Sequence, residues 1–251
     1  MFANYHTHTT RCNHAAGTDR EYVECAIKSG LSILGFADHT PLPDRAMCGM
    51  TPEELPDYVA SLCALRQEFQ KELSLHIGLE LEYNPKVFPQ QLEFLKQNGV
   101  EYLILGQHIL FGIPGDPGMH IPTEDESLLD YHCGLIREAM DTGKISYIAH
   151  PDSFHFTGSR EIYDKHIRQL CRHANDCHIP LEINLLGLRT DRYYPREHFW
   201  QIAGEEGCQA ILGCDAHEPQ SFFDTKGPEK AKYLIETYQL NVIDTADLRP
   251  L

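Results

Sequence analysis

The feature that most constrains this chain is its rhythm. Short apolar, β-rich runs near 2–5, 33–37, 75–81, 102–106, 145–149, 181–184 and 210–214 alternate with longer helical patterns near 19–29, 51–72, 88–97, 123–143, 160–177, 195–206 and 229–238. Capping boxes mark three helix starts, Thr18–Glu21, Thr51–Glu54 with Pro52 at the first helical position, and Thr123–Glu126. Glycines at 30, 99, 143 and 207 stand at helix ends. A Gly/Pro-rich loop covers 112–122, and a short strand-like tail closes the chain. Seven βα units in succession predict a parallel sheet wound in one sense. At 251 residues, with no linker or composition break, a closed α/β barrel is favoured over an open sheet. The expectation is one domain over 1–251, a distorted (β/α)7 TIM-like barrel.

In βα barrels the chemistry gathers at the C-terminal ends of the strands. Here those ends carry metal-type side chains. His6 and His8 follow the first run and His14 lies in the next loop. Asp38 and His39 follow the second run, Glu80 and Glu82 the third, His108 the fourth, His150 and Asp152 the fifth, and Asp215 and His217 the seventh. In an extended segment, residues i and i+2 share a face. His6 and His8 can therefore address one ion, and Asp215 and His217 one shared cluster. Imidazole nitrogen and carboxylate oxygen suit Zn²⁺, Mn²⁺ or Fe²⁺. A carboxylate such as Glu80 can also bridge two ions. An isolated HxH means little, because surface or packed histidines are common. The shared rim is what makes these residues a site.

Other groups stay closer to ordinary roles. Cys12 and Cys214 flank candidate ligands, but nitrogen and oxygen donors are abundant. His76 sits at the opposite end of its strand and reads as structural. His120 and His155 lie in rim loops, where surface placement and substrate contact are both open. His166, His173, His178 and His198 fall on helices or helix ends.

The formal net charge of -16 disfavours nucleic acid and membrane surfaces as partners. Nine scattered Cys with no CxxC pair read as reduced thiols rather than a disulfide framework. The segment MFANYHTHTTRCNH has no signal-peptide pattern, and no run approaches a membrane span, so a cytoplasmic protein is expected.

Taken in order, NYHTH, FADHTPLP, GLELEY, GQHIL, EINLLGLR and GCDAH resemble the polymerase-and-histidinol-phosphatase (PHP) family, across nearly the whole chain. Within it, the later segments are similar to the monofunctional histidinol-phosphatases of histidine biosynthesis. The resemblance implies a seven-fold distorted barrel with three divalent metal ions. His6, His8, Glu80 and Asp215 would hold the first. His14, His39 and His217 would hold the second. Glu80 would bridge to a third, completed by His108 and His150.

The reaction so implied is phosphate monoester hydrolysis of a small phosphorylated metabolite, foremost L-histidinol phosphate. Clustered ions acidify water and clamp phosphoryl oxygens. Glu80, Asp215 and His217 are the catalytic candidates, the latter two near the leaving oxygen. Phosphate recognition calls for a guanidinium, and Arg189 and Arg160 both lie on the active rim. Glu82 and Asp152 can receive an ammonium or orient ligand histidines from behind. The alternatives are a family relative acting on nucleotides, DNA ends or phosphotyrosine, an amidohydrolase-type enzyme, and a non-catalytic metal-binding protein.

Overall fold

Eight short strands form the sheet, and the central ones carry β-branched and aliphatic residues buried along their length, as parallel strands covered on both faces require. They are β1 (Ala3–Asn4), β2 (Ile33–His39), β3 (Ser74–Leu81), β4 (Tyr102–Leu105), β5 (Ile145–Ile148), β6 (Leu181–Asn184), β7 (Gln209–Gly213) and β8 (Asn241–Ile243). All pair parallel and in chain order in one sheet. This computed structural model describes residues 1–41, 49–113 and 118–251. The last two residues of FADHTPLP and the middle of the 112–122 loop lie outside them.

The strand-like tail is a true eighth strand, β8, against Gln209–Ile211 at the start of β7. At the other end of β7, Thr7 bridges Ala216; His8 N donates to Ala216 O (2.9 Å) and Ala216 N to His6 O (3.2 Å). The sheet thus curls into a barrel that closes seven-fold at its C-terminal rim. β8 fills the seam at the opposite end. The seven-fold expectation describes the rim, and the eighth strand explains the distortion.

Helices α1 (Asp19–Lys28), α2 (Leu55–Glu68), α3 (Phe88–Gln97), α4 (Glu126–Asp141), α5 (Arg160–Asp176), α6 (Leu185–Arg189), α7 (Glu197–Glu205) and α8 (Lys226–Tyr238) fill the connections. α1 starts on the expected capping box, Thr18 with Glu21. The other two boxes differ. Glu54 reaches back to Thr51 N (2.9 Å), but a turn intervenes and α2 begins at Leu55. At α4, Asp125 accepts from Ser127 N instead, so the cap lies two residues beyond Thr123. Helix α6 had no counterpart in the sequence pattern.

One core lies between sheet and helices, centred on residues such as Phe36, Leu79, Leu103, Ile183 and Trp200. A second fills the barrel itself with Tyr5, Tyr102, Ile104, Tyr147 and Ile211, closed below by Ile243, Ala246 and Leu248. The barrel interior is thus a packed core and not a pore. Among the described residues no helix is long and apolar enough to cross a membrane.

Candidate metal centre

All nine predicted ligands converge on that rim. The strands' C-terminal ends deliver them, and two sit in backbone that favours glycine: His150 at φ 29 and Asp215 at φ 47. Strain of this kind persists where surrounding structure enforces it, commonly at functional sites.

At the floor, His6 Nε2 and His8 Nε2 lie 3.1 Å apart. Glu80 Oε2 is 3.6 and 3.5 Å from them, and Asp215 Oδ1 is 3.6 and 3.3 Å from them. Four donors around an ion at about 2.1 Å stand about 3.4 Å apart in a tetrahedron. The observed edges bracket that value. Asp215 Oδ1 is buried without a hydrogen-bond partner, whereas its Oδ2 accepts from Asn184 Nδ2 at 3.0 Å. The carboxylate is pinned through one oxygen and leaves the other toward the imidazoles. These residues fit a divalent ion.

Glu80 divides its oxygens. Oε2 faces His6, His8 and His39 Nδ1 (3.0 Å). Oε1 faces His150 Nε2 (2.8 Å) and His108 Nε2 (3.6 Å). His217 stacks on His8 at 4.1 Å, and His14 on His217 at 4.7 Å. His39 lies 5.4 Å from His14. Donors of Cys12, His14 and His217 also fall within 4.8 Å of one another, so the Cys12 thiol is in reach of this group. Cys214 is not: its Sγ faces Ser221 O at 3.6 Å.

Behind the ligands stands a set of acceptors on the Nδ1 side. His6 Nδ1 meets Glu182 Oε1 at 2.7 Å, His8 Nδ1 faces Asp38 Oδ1 at 3.5 Å, and His14 Nδ1 meets Cys12 O at 2.8 Å. His108 Nδ1 meets Glu82, and His150 Nδ1 meets Ser153 Oγ at 3.3 Å. Such partners fix the ring and present its other nitrogen to a metal. Glu182 was not anticipated, because β6 showed no ligand at its end. The signal in the sequence was a glutamate inside an apolar four-residue strand; in the fold it is fully buried, paired with Ile211 on β7 and with its carboxylate beside Gly213. A Cβ on Gly213 would meet Glu182 Oε1 at 1.6 Å, and one on Gly106 would meet Glu80 Oε1 at 1.8 Å.

The electrostatics follow. Burial opposes charge on His6, but Glu182, Asp215 and Glu80 outweigh it and raise its pKa to about 10. Burial likewise works against the Glu80 and Asp215 carboxylates; surrounding imidazoles, His39 for Glu80 and His6 for Asp215 foremost, hold both well below their usual range. Carboxylates so placed demand positive charge, which protons on imidazole or divalent ions can supply.

The two arginines expected at the phosphate, Arg189 and Arg160, lie off the pocket wall. Arg189 Nη1 donates to Cys214 O (2.6 Å) and Nη2 to Asp215 O (2.8 Å). Its fork is spent on the backbone that carries Asp215, and it does not line the pocket. Arg160 lies exposed at the start of α5, 3.1 Å from His198 Nδ1, also away from the pocket. Asp152 is buried and accepts from Arg196 N, so it serves the loop and not the pocket wall. His76 stands at the far end of β3 near Tyr5 and Glu101, as expected.

Above the ligands opens a cavity of about 320 Å³, walled by Glu82, Ile109, Met119, His120 and Tyr194. A cluster of imidazoles and carboxylates at the C-terminal rim of a parallel barrel, under a small pocket, defines a metal-dependent hydrolase. Comparison with known proteins narrows the class. The PHP domain model matches residues 4–185. A probable histidinol-phosphatase of Deinococcus radiodurans is 31% identical over 226 residues, covering 85% of each chain. Histidinol phosphate phosphatase of Lactococcus lactis, solved with Zn, L-histidinol and phosphate, superposes with a TM-score of 0.73 at 18% identity, over 96% of this chain and 95% of that one. A histidinol phosphatase structure from Listeria monocytogenes gives 0.68 at 19% identity, over 87% and 96%. The chain belongs to the PHP domain family, and it is a phosphatase enzyme that binds divalent metal.

Proposed function

We propose that this phosphatase hydrolyses L-histidinol phosphate to L-histidinol and phosphate at a cluster of three divalent ions, with 1–251 acting as one domain. The observation that carries the reading is the division of Glu80 between two groups of imidazoles, which is how a carboxylate shared by neighbouring ions is placed. His6, His8, Glu80 and Asp215 would hold one ion, His14, His39 and His217 a second, and Glu80, His108 and His150 a third. Zinc, manganese and iron all suit this nitrogen and oxygen donor set. When bound, such ions acidify water and neutralise charge on the phosphoryl group. The chain's own residues orient that chemistry. Glu182, Asp38 and Glu82 hold the ligand rings, and Asn184 turns Asp215 inward.

The substrate reading is supported by the names of the relatives and by the wall of the pocket. Ile109, Met119 and Tyr194 offer apolar surface to a small ring, and Glu82 offers negative charge. Arg192 stands behind the wall, where it donates to Tyr194 Oη at 2.6 Å. The deciding experiment is a panel of phosphate monoesters on metal-loaded protein. L-Histidinol phosphate should exceed generic monoesters in kcat/KM by about 10²-fold or more, the scale at which a site built for polar groups discriminates. Equal slow rates across the panel would exclude this substrate.

A further inference from the structure

The departing oxygen of a phosphate monoester must leave on the side opposite the attacking water. Here His6, His8, Glu80, His150 and Asp215 form a buried floor, so that side is the open mouth. An alkoxide leaving there needs a proton, and the reading above gives the ligands below to the ions. Among the described residues, the non-ligand members of the wall are Glu82, Ile109, Met119, His120 and Tyr194. Glu82 is occupied: it accepts from His108 N (3.0 Å), Ile109 N (3.3 Å) and His108 Nδ1. Burial pushes the Tyr194 hydroxyl above its ordinary range, and Arg192 donates to it. Ile109 and Met119 carry no proton to give.

Resting on the phosphatase reading above, we propose that His120 is the general acid that protonates the leaving alcohol. The residue is exposed at the mouth, yet its ring is fixed. Its Nδ1 lies 3.1 Å from Tyr193 Oη. The Tyr193 hydroxyl has a close carbonyl acceptor in Ser153 O, so its proton points there and its oxygen is left to accept from His120 Nδ1. That arrangement places the exchangeable proton on Nε2. Tyr193 is itself held by a face-to-face stack on His155, 4.0 Å apart at 8°. His155 Nδ1 meets His120 O at 3.2 Å, and His155 N donates to Met119 O at 2.9 Å. The two loops are thus tied into one lip. A base oriented by a third group is the arrangement that proton transfer requires. Burial, with the charges of His108, Arg192, His150 and His155, lowers the pKa of His120, so its imidazolium is a stronger acid but is populated toward lower pH.

The step balances. The P–O(ester) bond breaks and its electron pair stays on the alcohol oxygen, which takes the Nε2 proton. Water supplies the new P–O bond; one of its protons stays on inorganic phosphate and the other passes to solvent. His120, neutral with its proton on Nδ1, regains a proton from solvent at the mouth.

The test compares metal-loaded wild type with His120→Asn on L-histidinol phosphate and on p-nitrophenyl phosphate. Both carry the same phosphoryl group, but p-nitrophenolate leaves without a proton. The variant should lower the alkyl-to-aryl ratio of kcat by about 10²-fold or more, the contribution of a general acid. Tyr193→Phe, which removes the anchor only, should lower the same ratio by less. An unchanged ratio in His120→Asn, whether both rates fall together or neither does, overturns the assignment. Wild type that hydrolyses neither ester overturns the phosphatase reading, and the acid with it.

Discussion

Asp215 depends on two side chains that do not line the pocket. Asn184 holds its Oδ2, and Arg189 holds the carbonyls of Cys214 and Asp215, which keeps the chain in its left-handed turn. Arg189→Ala should therefore lower metal affinity about tenfold with little change in KM, checked by metal content after dialysis and by steady-state kinetics. A large rise in KM at full metal occupancy would return Arg189 to the substrate. Glu182 has a parallel role, since one carboxylate serves His6 Nδ1 and, through Oε2, His150 N at 2.9 Å. Glu182→Gln should weaken metal binding about 10–100-fold, read by titration with a competing chelator. Unaltered affinity would show that the backbone alone positions His6.

The strands and most helices were legible in the sequence because buried parallel strands and capped amphipathic helices write themselves as period and punctuation. β6 was legible as a strand but not as part of the site. Glu182 points inward from mid-strand instead of standing at the strand end. Arg189 was legible as a rim residue, but α6, too short to show a period, turns its guanidinium behind Asp215. β8, with three residues, showed only as a tail. Inside the barrel, one residue joins elements whose contact no local pattern reveals. Tyr102 on β4 brings its hydroxyl to 2.8 Å from Tyr5 O and 3.0 Å from Phe36 O, at β1 and β2. Tyr102→Phe leaves these buried carbonyls short of a donor and should cost about 1–3 kcal/mol, measured by urea unfolding. No loss of stability would mean water takes over the bond.

Stability of the whole molecule should carry a pH signature from His132 on α4. Its ring stacks on Phe154 at 4.8 Å and both nitrogens are buried without partners. Burial, aided by His108 and His150, lowers its pKa to about 3 from 6.5. The folded protein keeps this ring neutral, whereas the unfolded chain takes up a proton below 6.5. Its contribution is therefore complete above 6.5 and is lost as pH falls toward about 3, by at most about 1.4 kcal/mol per pH unit. His132→Leu at the same metal saturation should flatten the dependence of the urea midpoint on pH across that window. An unchanged slope would assign the acid sensitivity elsewhere.

The rim is sewn shut where the Thr7 segment meets Ala216, and Asn4 Oδ1 accepts from Cys214 N across 210 residues of chain. His6 and His8 emerge from the ribosome well before Asp215 and His217. Until β7 is made, those histidines have no carboxylate from it to share an ion with. Metal capture by the full donor set would then wait for the rim to close between Thr7 and Ala216.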